Sequence, residues 1–369
     1  MDPDLAAWPS AQSRRIMKAR SAPALAPTAQ APIKPMTPMT FPHQHPLPSG
    51  FGPTTSAADV LRGVDLAGKR VVVTGGYAGL GLEAVRGLTQ AGAHVVVPAR
   101  SPDKARAALE GLPQVEQAAM DLLDTASIAR FADELVGRGD PLDLLILNAG
   151  IMAPPLRRDA RGHESQFAAN HLGHFELALR LWPALLRAGA ARVVVLTSLG
   201  HRFAPVDVDD PDFVRRPYDK WRAYGQSKSA NALFAVGLDR RGAAHNVRGF
   251  AVHPGSILTD LTRDLTAEDY AAFGLSPDAA RGVAPRGLSV EEGGRYKNLA
   301  QGAATTLWCA TSRQLDGLGG LYCENCDVAR VVADGEVFDG GVRPWAIDPE
   351  QADRLWTLSE RLTGVALKS

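Results

Sequence analysis

The chain has 369 residues, 45% hydrophobic and 22% charged, a composition that suits one large α/β domain or two small ones. Its 40 Lys and Arg balance 40 Asp and Glu, so no basic surplus points to nucleic acid or an anionic membrane surface. The three cysteines, Cys309, Cys323 and Cys326, cannot build a disulfide framework and fit a reducing, cytoplasmic compartment.

Residues 1–53 are rich in Pro and Ala, with "APIKPMTPMTFPHQHPLPSGFGP" at their core. Such a stretch cannot bury enough apolar surface to offset its ordering entropy, so a disordered extension is expected before one domain spanning 54–369. A targeting peptide, or a true translation start near Met36 or Met39, are the competing readings. The basic residues Arg14, Arg15, Lys18 and Arg20 are not followed by the apolar run of a secretory signal. No apolar stretch approaches the roughly 20 residues of a membrane span.

From Leu66 onward, short apolar runs alternate with amphipathic helical stretches: "KRVVVTGG", "AHVVVPAR", "QVEQAAMD", "LDLLILNAG", "ARVVVLTS" and "VRGFAVHPG". Strands apolar throughout and separated by helices predict a mostly parallel sheet covered on both faces. Right-handed crossovers then give a doubly wound (Rossmann) α/β fold of about seven strands. The first run leads into Thr74-Gly75-Gly76-Tyr77-Ala78-Gly79-Leu80-Gly81 and then a helix. There Gly75, Gly79 and Gly81 allow a tight turn whose backbone N–H groups, those of Tyr77 and Leu80 included, can meet a pyrophosphate. The second run ends at Arg100, where Arg suits a 2′-phosphate and a carboxylate would suit a ribose hydroxyl. NADP(H) is therefore expected over NAD(H), against the plainer reading of a solvated strand-end Arg. Asp103, the nearest acid, belongs to a Ser-Pro-Asp helix start.

Tyr224 and Lys228, four apart in "AYGQSKSAN", share one helix face. Taken alone, the pair reads as a core Tyr beside a snorkelling Lys. The segment from Ser256 to Asn298 has several breakers and little strand character, and it follows a strand end where this fold class binds ligands. It is expected to cover the substrate. Cys323-Glu-Asn-Cys326 resembles half a zinc site, but no second half exists, so no metal is expected.

In order along the chain stand TGxxxGxG, Asp121, Asn148-Ala149-Gly150, Asn170-His171-Leu172-Gly173-His174-Phe175, Ser198, Tyr224-x-x-x-Lys228 and His253-Pro254-Gly255. Together they resemble the short-chain dehydrogenases/reductases, and "NHLGHF", "TSLGH" and "HPGSILT" resemble their retinol dehydrogenase-like and WW-domain oxidoreductase-like branch. The resemblance covers roughly Asp65 to Gly364. It implies that Tyr224 is the general acid/base, with Lys228 lowering its pKa and holding the nicotinamide ribose. Ser198 would bind the substrate oxygen, with Thr197 as its competitor, and Asn170 would hold a water near Lys228. Asp121 and Leu122 would face the adenine, and Asn148, Ala149 and Gly150 would lie beside the ribose. Pro254, Gly255, Ile257 and Thr259 would position the nicotinamide amide.

The implied substrate is a hydrophobic small-molecule alcohol or carbonyl; dimers or tetramers are usual for the superfamily but less uniform in this branch, so a homo-oligomer stays an open alternative. Tyr77 departs from the small polar residue common in the family's turn, and the Ser198–Tyr224 interval is long enough to wall a substrate pocket. Protochlorophyllide reductase chemistry lacks its additional thiol, because no cysteine precedes Trp308. A catalytically silent dinucleotide-binding scaffold is the alternative from another class. A sugar-nucleotide epimerase or dehydratase fits the glycine spacing less well.

Overall fold

Apolar runs rich in Val and Leu supply the strands of one mixed sheet. The structure, a computed structural model, describes residues 41–272, 287–334, 336 and 340–367. Strands β1 (Arg70–Val73), β2 (His94–Ala99), β3 (Val115–Ala119), β4 (Leu144–Leu147), β5 (Ala191–Leu196), β6 (Val247–His253) and β7 (Leu321–Glu324) are parallel. Strand β8 (Asp327–Val328) pairs antiparallel with β7, and the order across the sheet is β3-β2-β1-β4-β5-β6-β7-β8. This is the doubly wound fold expected, with one strand more than the seven read from sequence.

The extra strand explains the Cys-x-x-Cys run. With Glu324 opposite Asp327, residues Asn325 and Cys326 form a two-residue hairpin, and their φ values of 51° and 58° meet the demand of such turns. All three cysteines are buried, and among the described residues no group of three or more His, Cys, Asp or Glu is placed to hold a metal.

Alternation along the strands divides the core. Val71, Val73, Val95, Val97, Ile146 and Val194 pack on one face against α1 (Ala57–Leu61), α2 (Gly79–Gln90) and α3 (Pro102–Leu109). Val72, Val96, Leu145, Val193 and Val195 pack on the other, against α4 (Thr125–Gly137), α5 (Gly173–Arg180) and α6 (Lys220–Gly242). Helix α7 (Leu299–Thr311) joins the first face and α8 (Pro349–Thr363) the second. Strand order reverses between β1 and β4, so a crevice opens beyond their carboxyl ends, where Thr74 and Asn148 follow.

The expectation of an unpacked extension up to residue 53 needs correction. Gln44 is buried: its amide nitrogen donates to the Tyr322 and Ala329 carbonyls (2.8 and 2.7 Å), and its oxygen accepts from the Tyr322 N–H (2.9 Å). Farther along, Leu47 and Ser49 donate their N–H groups to the Asp327 carboxylate. One well-satisfied Gln thus ties a Pro-rich strap to the last strands. Residues 1–40 lie outside the described residues. Among those described, no helix is long and apolar enough to cross a membrane.

Candidate active site

The glycine turn meets its steric demand. Gly75 and Gly79 have φ of +64° and +50°, which side chains disfavour. A Cβ on Gly81 would lie 2.3 Å from the Gly75 carbonyl oxygen and 2.5 Å from Asn148 Nδ2, so nothing larger than glycine fits there. Helix α2 then begins at Ala78 with no side-chain cap and no acid in its first turn. Its first N–H groups remain available to an anion. Thr74 ties this turn to the neighbouring strand, its hydroxyl accepting from the Asn148 and Ala149 N–H groups (2.9 and 3.1 Å). Asn148 Nδ2 returns a bond to the Thr74 carbonyl (3.0 Å).

Helix α6 carries Tyr224 and Lys228. The Asp219 carboxylate caps it, accepting from the N–H groups of Trp221 and Arg222. From Ala223 to Asp239 the helix is buried, and small residues let it approach the sheet closely. Two of its buried polar side chains tie it to the β5 end of the sheet: Ser229 donates to the Ala204 carbonyl (2.7 Å) and Asn231 to that of Leu196 (2.8 Å).

At the end of β5 the two hydroxyls part company. Thr197 Oγ1 turns inward and donates to the Lys228 carbonyl (2.7 Å), while the Ser198 side chain hydrogen-bonds Tyr224. Gly200 makes room for this pair, since a Cβ there would stand 2.7 Å from Tyr224 Cε1.

The Tyr–Lys spacing places Lys228 Nζ 5.7 Å from the Tyr224 ring centroid, with the ammonium donating to the Leu196 carbonyl at 3.2 Å. The two groups are neighbours without a direct hydrogen bond. Burial pushes Tyr224 up to about 12, although the Ser198 bond works the other way, and burial draws Lys228 down to about 8. Desolvation dominates both groups.

Asn170 sits in a π-helical turn, Ala168–Leu172, between the single turn Ser165–Phe167 and α5. Such turns recur at functional sites. Its side chain clasps Ile151 on both sides, accepting from the N–H (2.9 Å) and donating to the carbonyl (3.0 Å), and also donates to Ser227 Oγ (2.9 Å). A Cβ on Gly150 would lie 3.2 Å from Asn170 Oδ1 and 3.6 Å from Lys228 Nζ. Asn170, Gly150 and Lys228 therefore converge.

The remaining candidates follow the carboxyl ends of the strands. Asp121 is half-buried and bonds its own turn, accepting from the Leu123 N–H (3.0 Å), while the Leu122 carbonyl abuts Gly173. Arg100 is exposed at the end of β2. Tyr77 packs against the α2 side of the core. Beyond β6, Gly255 has φ +101°, and the Lys297 stem lies across it, 2.7 Å from where a Cβ would stand. Ile257 and Leu80 both crowd Gly302 of α7, and Thr259 faces Gly79. Pro254 is half-buried between β6 and this loop.

The Ser256–Asn298 segment returns to its starting point: Ser256 bridges Tyr296, and the Lys297 N–H donates to the Ser256 carbonyl (2.8 Å). Leu258, Tyr270 and Tyr296 give it a small core, and Asp269 pairs with Lys220 at the start of α6. Its residues 273–286 lie outside the described residues. Sequence reading assigned no role to Thr74, His174 or Lys297. Each makes at least one contact with a residue distant in sequence, a signal the motifs do not carry.

A parallel doubly wound sheet with a glycine-lined helix start at its switch point defines a Rossmann-type dinucleotide-binding fold. The family profile described as short chain dehydrogenase matches residues 69–269, and this chain belongs to that family, whose fold binds NAD(P). A Streptomyces lividans protein bearing an oxidoreductase name is 47% identical over 79% of this chain and 97% of its own length. Human WW domain-containing oxidoreductase is 35% identical over 84% of this chain and 71% of that protein. A solved but uncharacterised protein from Mycobacterium paratuberculosis is 33% identical, with a TM-score of 0.64, covering 86% of this chain and 100% of that one.

Proposed function

We propose that this protein is an NADP(H)-dependent oxidoreductase that interconverts a carbonyl and an alcohol on a hydrophobic small molecule, with Tyr224 as general acid/base. The observation that carries this reading is the convergence of the Tyr224 ring and Ser198 Oγ on Gly200, one helical turn from buried Lys228, whose Nζ stands beside Gly150. The nicotinamide group, when bound, supplies or accepts the hydride. Tyr224, held protonated by its burial, is set to give its proton to a carbonyl oxygen, and Ser198 donates a second hydrogen bond to that oxygen. Lys228 holds the ribose hydroxyls through its ammonium, and Asn170 fixes the Ile151 backbone beside it. The uncapped start of α2 receives the pyrophosphate, and exposed Arg100 suits a 2′-phosphate.

The substrate class rests on the loops after β4 and β5. They carry the exposed apolar side chains of Leu156 and Val214, and they are tied together by the Tyr218 hydroxyl donating to the Pro154 carbonyl (3.0 Å) and by His163 against Asp212 (3.0 Å). Exposed apolar side chains on these two loops are in keeping with a lipophilic substrate.

A nicotinamide fluorescence titration with a carbonyl substrate panel tests the reading in wild type and Tyr224→Phe. The substitution keeps the ring, so folding and cofactor binding should survive while turnover falls by about 10²–10⁴, the usual range for a general acid–base group. Near-wild-type turnover in the Phe variant would refute the assignment. Cofactor binding without any turnover in wild type would point to a silent scaffold.

A further inference from the structure

The two halves of the site, the dinucleotide turn and the Asn170 turn, are joined by one fully buried side chain, His174. Its Nδ1 lies 2.9 Å from the Asn170 carbonyl oxygen and its Nε2 lies 2.9 Å from Thr74 Oγ1. A carbonyl can only accept, so Nδ1 carries the proton. Burial and the nearby Lys228 charge hold the ring neutral, with a pKa down to about 4. Nε2 is then an acceptor, and the Thr74 hydroxyl donates to it.

That assignment completes Thr74. Its oxygen accepts from two backbone N–H groups and has one proton to give, and the other acceptor in reach, the Ile146 carbonyl, is 3.5 Å away. On the far side, the Asn170 amide bonds Ser227 Oγ, and that hydroxyl donates to the Tyr224 carbonyl (2.8 Å). Hydrogen bonds therefore run from the Asn148-Ala149 backbone through Thr74 and His174 to the Asn170 carbonyl, and on from the Asn170 side chain through Ser227 to the backbone of Tyr224.

We propose that His174 is a positioning residue that holds the dinucleotide-binding turn and the Asn170–Tyr224 side of the site in register. The proposal rests on the reading of Tyr224 as acid/base. His174 lies behind the site and touches no reactant. It acts through two bonds, one to each half, and those bonds can be removed separately.

An Asn side chain places an amide nitrogen where Nδ1 stands, whereas Gln reaches the position of Nε2. His174→Asn should keep the bond to the Asn170 carbonyl and lose that to Thr74. Cofactor binding should then weaken about three- to tenfold, the range one neutral hydrogen bond supports, with kcat nearly unchanged. His174→Gln should do the reverse, lowering kcat by a similar factor with cofactor affinity nearly unchanged. Thermal melts confirm that each variant is folded, and ¹⁵N NMR of the wild-type imidazole without cofactor reads the tautomer directly. Expected is an Nδ1–H ring together with this split. An Nε2–H ring, or Asn and Gln variants that shift affinity and kcat alike, would overturn the proposal. Failure of the parent reading looks different: Tyr224→Phe would keep its turnover while the His174 tautomer and the affinity split persisted.

Discussion

Buried Lys228 is held at the expense of stability, and replacing it should show how much. The side chain belongs to a residue only 4% exposed, and burial lowers its pKa from 10.5 to about 8. That difference corresponds to a burial penalty of about 3 kcal/mol at pH 7. Met has a similar shape and no charge. Lys228→Met loses the Leu196 hydrogen bond and the contact with the Tyr224 ring, together about 1 kcal/mol. The variant should therefore be more stable than wild type by about 2 kcal/mol at pH 7, while losing turnover and cofactor affinity.

A pH series separates this cause from better packing. A lysine with a lowered folded pKa loses its proton in the native state first, so the unfolded state binds more protons between pH 8 and 10.5. Wild-type stability recovers across that window. The penalty is complete below pH 8, is about 1 kcal/mol at pH 9.5, and vanishes above 10.5. Denaturant unfolding of both proteins at pH 7 and pH 9.5, without cofactor, should show the advantage of Lys228→Met shrinking to near zero. A variant less stable than wild type at pH 7, or an advantage independent of pH, would refute the reasoning.

Changing Arg100→Asp should shift cofactor preference towards NAD(H) by about tenfold or more, since a charge-assisted phosphate contact is lost and a repulsion gained; competitive binding of the two cofactors measures it. Gly200→Ala forces its new methyl against the Tyr224 ring, so kcat should drop while cofactor affinity holds, a split visible in steady-state kinetics. Gln44→Ala leaves the buried Tyr322 N–H without its partner and should cost about 1–3 kcal/mol, read by denaturant unfolding. Removing residues 1–40 should spare the Gln44 contacts, whereas removal through residue 53 should lower the melting temperature.

What the sequence disclosed were constraints that act within a few residues. Glycines at 75, 79 and 81 are set by backbone sterics inside one turn, and the alternation through β5 sends Thr197 and Ser198 to opposite sides. Continuous apolar runs separated by helical stretches likewise gave the parallel sheet. The contacts that escaped notice join distant segments. Gln44 reads as part of a Pro-rich tail until Tyr322, 278 residues away, presents it with a donor and an acceptor. The Cys323–Cys326 spacing invites a metal reading because ligand motifs and hairpin turns share the same separation; the positive φ values of Asn325 and Cys326 decide for the turn.

Tyr224 and Lys228 show the same limit in energetic form. Their four-residue spacing correctly places two side chains on one helix face, and it suggests that opposite charges will favour one another. Spacing carries no information about dielectric. In the fold, desolvation raises the phenol to about 12 and lowers the ammonium to about 8, so each group moves towards its neutral form. Lys228 spends its hydrogen bond on the Leu196 carbonyl rather than on the phenol oxygen, and Ser198 is the partner that works to bring the phenol down. Under the proposed function, a phenol that keeps its proton throughout the neutral range is ready to protonate a carbonyl without prior activation. Running towards the alcohol, the pair needs no phenolate; running the other way, it must first lose a proton against that desolvation. The pH dependence of the two directions should therefore differ, with oxidation rising towards alkaline pH and reduction flat until Lys228 begins to lose its charge near pH 8.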